Sequence, residues 1–196
     1  MRRIATFMFA LVIGLGAITQ VHAQSKEAEK AARKAAEEVK KQEKKAAQAV
    51  QSQISFETAV QAIKDQSFVL EATTVQPMNG RVFYVNSNTN FVSLNNGQAM
   101  VQIASNSPYP GPNGLGGITV QGGASNIETK TDKDGNVYMS MSVQGVFISA
   151  TVMIMLTNDT NNASVTVDPN FSGRNLRMTG TIYPYSMSNI FQGTTY

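Results

Sequence analysis

Beyond residue 66 the sequence alternates between apolar and polar side chains, and a period of two restricts this part of the chain to β structure. The longest run sets Val146, Ile148, Ala150, Val152, Ile154 and Leu156 opposite Phe147, Ser149, Thr151, Met153 and Met155. Val137, Met139, Met141 and Val143 alternate in the same way with Tyr138, Ser140 and Ser142. Residues 68–75, 81–86, 91–94 and 98–105 read as further strands, with Asn95-Asn96-Gly97 as a hairpin turn. Residues 118–121 and 127–131 read either as two strands or as one interrupted at Gly122-Gly123. Residues 164–167 and 176–182 close the series. Eight or nine strands joined by short turns predict a mainly β (α+β) fold. The expected form is an antiparallel sheet curled into a half-barrel or sandwich. One face would be apolar and the other would carry Ser, Thr, Gln and Tyr.

Two segments of different character precede the strands. Residues 26–50 are almost entirely Ala, Lys, Glu and Arg, with eight alanines and thirteen charges in 25 positions. That composition favours helix, and Glu29 with Arg33 and Glu37 with Lys41 form supporting i,i+4 pairs. Val39 and Val50 are its sizeable apolar side chains, so a solvated helical spacer is expected. Docking on an anionic lipid or polymer would call for Leu, Phe or Trp on an apolar face, and residues 26–50 have none. A second helix then opens the β region, with Phe56, Ala59, Val60 and Ile63 on one face and Ser55 placed to cap it. The expected organisation is a signal peptide over 1–23, the spacer over 24–52 and a β-rich domain over 53–196.

The signal-peptide expectation rests on a three-part layout. Met1-Arg2-Arg3 is a positive start, Ile4 to Thr19 is an apolar run, and Val21-His22-Ala23 offers small residues before Gln24. Sixteen residues fall short of the ~20 that span a bilayer, so cleavage near Ala23-Gln24 is expected rather than a stable anchor. The product would be periplasmic or secreted.

Cleavage would change the available chemistry. The 16 basic residues lose Arg2 and Arg3, leaving 14 against 13 acidic ones, which gives no support to nucleic-acid binding. The single histidine, His22, leaves as well, and the chain has no cysteine. A Ser-His-Asp triad, a cysteine nucleophile and a zinc site of His or Cys ligands are thereby excluded. No metal, cofactor or catalytic residue is predicted.

The candidate sites are few. Residues 106–117, with glycines at 111, 114, 116 and 117, form the long irregular stretch. It lacks the Gly-Lys-Ser/Thr of a phosphate loop and is followed by a strand-like run instead of a helix. It reads as a turn-rich crossing or as the shaped rim of a ligand site. A calcium loop starting at Asp132 would need Gly and Glu where Val137 and Val143 stand, so Asp134-Gly135 reads as a hairpin turn. The acids Glu71 and Glu128 lie within strands, and nothing in the sequence joins them into a hydrolytic pair. Arg174 and Arg177 are a close basic pair. Gln102, Tyr109, Asn113, Tyr138 and Arg177 are the ligand-binding candidates, expected on the polar sheet face and the 106–117 loop.

Four stretches together resemble a known family. They are Phe68-Val-Leu-Glu-Ala72, Gly111-Pro-Asn-Gly-Leu-Gly-Gly-Ile118, Thr131-Asp-Lys-Asp-Gly-Asn-Val-Tyr138 and Pro169-Asn-Phe-Ser-Gly173. In that order they resemble the Bacteroidetes family of secreted proteins called domain of unknown function 4251, over about residues 54–193. The resemblance implies an exported, β-rich cell-envelope domain and no particular activity. Some members resemble lipoproteins, whereas this chain lacks the cysteine for a lipid anchor.

The expected function is that of a non-enzymatic binding or accessory module for an envelope protein, a polymer or a small ligand. An assembly subunit, joined through the charged helix or a sheet edge, is the alternative, and a carboxylate-based hydrolase is a third reading.

Overall fold

The computed structural model describes residues 4–105, 109, 111–171 and 173–195, with side chains at residue 30 and from residue 32 onward. The chain divides into two compact units, Met1–Ala49 and Val50–Tyr196. The first is helical, and its described side chains are exposed. Among the described residues, no helix is long and apolar enough to cross a membrane.

One helix, α1 (Ile4–Lys64), stands where a spacer and a separately capped second helix are expected. Its continuity has a simple cause, because residues 17–64 contain neither Gly nor Pro. Ser55 therefore lies inside the helix, where no cap is needed. The helix ends in a Schellman arrangement. Gln66 takes a left-handed φ of 53°, its N–H donates to Ile63 O at 3.1 Å, and the Ser67 N–H donates to Ala62 O at 3.0 Å. Ala59, Ala62 and Ile63 are buried in the same core as the strands.

The strands are β1 (Phe68–Pro77), β2 (Phe83–Tyr84), β3 (Phe91–Asn95), β4 (Gln98–Ile103), β5 (Ile118–Thr131), β6 (Val137–Gln144), β7 (Ser149–Leu156), β8 (Asn162–Pro169) and β9 (Leu176–Pro184). Each of β3 to β8 pairs antiparallel with the next, and β1 pairs with both β3 and β9. The predicted antiparallel sheet is thus present, but it closes fully into an eight-stranded barrel. Short β2 continues the β3 side of β1 through Thr74↔Tyr84 and Val75↔Phe83.

Closure depends on a bulge in β1 between Ala72 and Thr74, which faces Gly180 of β9. A Cβ at Gly180 would lie 2.0 Å from Glu71 O, so only glycine lets the two backbones meet there. The 95–98 hairpin turns through Asn96 (φ 49°) and Gly97 (φ 73°), the pairing its sequence predicts.

Alternation sends one set of side chains inward. Met139 and Met141 of β6, Val152, Ile154 and Leu156 of β7, and Met178 of β9 are buried. An eight-stranded barrel is just wide enough for such side chains to fill it. The 146–156 alternation begins its strand later than expected, at Ser149. Gly145 to Ile148 form a tight turn closed by Gly145 N–H donating to Ile148 O at 2.7 Å, and this leaves Val146 89% exposed at the tip. Residues 81–86 likewise form strand only at Phe83–Tyr84. Residues 118–131 are a single strand, bulged between Ser125 and Glu128, with Asn126 at φ 51°.

After β9 the chain turns through a 3-10 segment, Tyr185–Met187, and runs as an extended strap over the outer face of β1, β3 and β4.

Candidate functional site

An antiparallel up-and-down barrel sorts its connections strictly, since alternate turns emerge at opposite ends. At one end lie the turns 65–67, 96–97, 132–136 and 157–161, all built from polar residues and glycine. The last turns of α1 cover this end, where Glu57, Gln61 and Asp65 share a shallow hollow with Pro184 and Ser186. At the other end lie the connections 78–90, 104–117, 145–148 and 170–175. This second end, the mouth, is different in kind.

A cavity of about 790 Å³ opens at the mouth. Val75, Pro77, Phe83, Val85, Ile103 and Leu115 supply its apolar wall. Val75 and Ile103 belong to the inward-facing sets of β1 and β4, so the cavity continues the barrel interior past its last filled layer. Pro77 and Ile103 also border a second hollow of about 570 Å³, beside Met78, Arg174 and Leu176. Both volumes fall within the 300–1,000 Å³ typical of small-molecule sites.

The buried polar side chains at the mouth are already engaged. Asn90 is buried, donates through Nδ2 to Asn86 O at 3.0 Å, and accepts the Ala104 N–H on Oδ1 at 2.8 Å. Among the described residues no buried side-chain nitrogen or oxygen lacks a hydrogen-bond partner. No carboxylate among the described residues lines either mouth cavity. Arg81 sits on the rim, with its guanidinium 5.5 Å from the Phe83 ring centroid.

The five sequence candidates are placed as follows. Gln102 points outward from β4, as the polar face requires, but the C-terminal strap buries it completely. Its Nε2 donates to Thr89 O (3.0 Å) and Phe191 O (2.8 Å), while its Oε1 accepts from Thr119 Oγ1 (2.7 Å) and the Gly193 N–H (2.8 Å). Asn113 is buried too. Its Nδ2 donates to Ile103 O (3.0 Å) and Thr119 Oγ1 (3.3 Å), and its Oδ1 accepts the Leu115 and Gly117 N–H groups at 3.0 Å each. Gln102 and Asn113 therefore meet through Thr119, and together they hold the 111–117 loop and the strap in place.

Tyr109 is 78% exposed in a connection at the mouth; Asn106, Ser107, Pro108 and Pro110 lie outside the described residues. Tyr138 stands on the outer wall of β6, and Arg177 on β9, three strands away around the ring. The structure does not bring these two to one face with Gln102.

Near Tyr138 the Asp132 carboxylate organises its own turn. It accepts the Asp134 and Asn136 N–H groups and the Asn136 side-chain amide, each at 2.9 Å. The Asn136 side-chain hydrogen bond leads the effects that lower the Asp132 pKa. Desolvation, then the Asp132 charge, raises that of Tyr138. Asp132-to-Asn136 is thus the hairpin turn its sequence predicts. Among the described residues no group of three His, Cys, Asp or Glu could hold a metal ion. Glu57 and Asp65 line the hollow at the polar end, where their carboxylates accept from Gln53 Nε2 at 3.2 Å and Gln61 Nε2 at 2.8 Å.

The mouth cavity was not legible as a site, since its apolar lining comes from four separate stretches of sequence. One signal was present: once strands are assigned, every other turn carries aromatic residues and the rest carry none.

A family model described as Domain of unknown function (DUF4251) matches residues 50–182. The chain belongs to this family. The crystal structure of a DUF4251 family protein from Bacteroides eggerthii DSM 20697 is similar at 49% sequence identity, with a TM-score of 0.62. The similarity covers 73% of this chain and 96% of that one. No curated protein matches the chain. The matched segment takes in the mouth connections and the β1–β9 seam, and it stops before the strap.

Proposed function

We propose that this DUF4251 protein is an exported, non-enzymatic binding protein that takes a small apolar molecule into the mouth of its barrel. The observation that carries the reading is the apolar cavity of about 790 Å³, which lies at the end the helix leaves uncovered. Cavities of this kind, bounded by strand ends and connecting loops, are where barrels accept ligands. The buried polar side chains around it already have protein partners, so the site favours surface complementarity over directed hydrogen bonds.

Ring closure bears on the assembly alternative. Each of the eight barrel strands is paired on both sides, which leaves β2 as the strand paired on one side among those described. Strand addition between copies thus has little edge to use.

The test is a fluorescence titration with the apolar probe N-phenyl-1-naphthylamine. Saturable enhancement is expected, together with at least about tenfold weaker binding in Ile103→Glu, because a charge in the wall opposes the burial of apolar surface. Leu115→Gln, at a half-buried position on the same wall, is the milder second variant and should weaken binding in the same direction. An unsaturable response, or equal binding by both folded variants, overturns the proposal.

A further inference from the structure

We infer that the mouth of the barrel is also a membrane-docking surface, which sets its loop tips into the headgroup region of an anionic bilayer. The inference stands apart from the cavity, because it rests on what the connections display to solvent.

The asymmetry between the two ends is the first observation. The four mouth connections expose Met78 and Tyr84, Tyr109, Val146 and Phe147, and Phe171. Tyr84, Val146 and Phe171 are each 89% exposed. The four turns at the opposite end expose no large hydrophobic side chain among their residues. Scattered single hydrophobics such as Ile54, Tyr138, Met153, Met187 and Phe191 are ordinary on a protein surface, but a concentration in the connections of one barrel end is not.

Charge is the second observation, and it names the occupant. All three arginines of the barrel unit, Arg81, Arg174 and Arg177, lie in the mouth connections or at the mouth end of β9, with Asp168 as the acid near them. The opposite end holds Asp65, Glu128, Asp132, Asp134 and Asp159 against Lys64, Lys130 and Lys133. The barrel unit is therefore polarised, positive at its apolar end and negative at its polar end. Tyr and Phe interleaved with Arg match the amphipathic belt of a membrane–water interface and the electrostatics of acidic headgroups. The exposed apolar side chains come from separate connections instead of forming the flat, continuous patch that a protein partner would require.

The experiment uses residues 24–196, because the apolar run at 4–19 would bind vesicles by itself. Cosedimentation is measured with phosphatidylcholine vesicles containing or lacking phosphatidylglycerol. Binding that rises with phosphatidylglycerol and falls with added salt is expected. The variant Val146→Ser/Phe147→Ser/Phe171→Ser, whose positions line neither mouth cavity, should lose on the order of tenfold or more in partitioning while still binding N-phenyl-1-naphthylamine. Arg81→Gln/Arg174→Gln should lose the dependence on phosphatidylglycerol. Tyr138→Ser/Met153→Ser, which removes exposed side chains from the outer wall, should bind vesicles as the parent does. A parent protein that stays in the supernatant, as it would if the rim served a protein partner, overturns the inference. So does a triple variant that partitions unchanged. Failure of the probe titration alone overturns the cavity proposal and leaves docking standing.

Discussion

Replacing Gln102 by leucine tests whether the C-terminal strap is held by one side chain. The two residues have similar volume, so the change removes hydrogen bonding with little loss of packing. Four groups lose their partner: the carbonyls of Thr89 and Phe191, the Thr119 hydroxyl and the Gly193 N–H. At about 1 kcal/mol of net stability per hydrogen bond, an intact strap would cost the fold about 4 kcal/mol. If residues 188–195 peel away, Phe191 O and Gly193 N–H regain water, but the bonds that the Phe191 and Thr194 N–H groups donate to Asn88 O and Asn113 O go with the strap, so the loss stays at about 4 kcal/mol. Thermal melting should then drop by roughly 8–16 °C in a domain of this size. Amide exchange should accelerate at Phe191, Gly193 and Thr194, whose N–H groups donate to Asn88 O, Gln102 Oε1 and Asn113 O. Unchanged exchange at those three amides, with a melting point within a degree of the parent's, would refute the reasoning. Gln102→Glu should be worse than leucine near neutral pH, because it buries a charge that cannot donate to the two carbonyls.

Three further outcomes are expected. Gly180→Ala should lose about 1–3 kcal/mol in urea unfolding, since its Cβ would press on Glu71 O across the seam; a variant as stable as the parent would mean the backbones can separate freely there. Asp132 has its folded pKa lowered, so its contribution is present above the unfolded value of about 4 and fades as pH falls through the lowered one; carbon-detected NMR of its carboxyl should titrate below model peptides, and a normal midpoint would contradict the turn network. Protein recovered from a producing cell's exported fraction should begin at Gln24 by N-terminal sequencing, and an intact Met1 terminus would remove the signal-peptide reading.

How far the sequence revealed the molecule varied by feature. Strands such as 137–144 and 150–156 were visible because one side of each must face an apolar interior, a constraint written locally. Val146 continued that alternation into a turn, where the chain reverses and the side chain faces water; periodicity alone could not mark where pairing stopped. Ring closure was hidden for a different reason, because it rests on Phe68–Pro77 meeting Leu176–Pro184 across about a hundred residues of sequence. Gln102 and Asn113 stood out as polar groups on strands and loops. What they bind is the protein itself, through Thr119 and a strap whose sequence has no period to announce it. The mouth emerges only when the turns are sorted by end, an operation that requires the strand count first.

The seam between the first and last strands sets an order on biosynthesis. While a ribosome is still adding residues before Leu176, β1 can pair with β3 on one edge but has no β9 for the other, and the nascent sheet carries two raw borders. Any premature stop in the gene before that point yields a polypeptide that cannot close, prone to stick to its neighbours and fit for proteolysis. The last strand is therefore the latch on which the lifetime of the whole molecule turns.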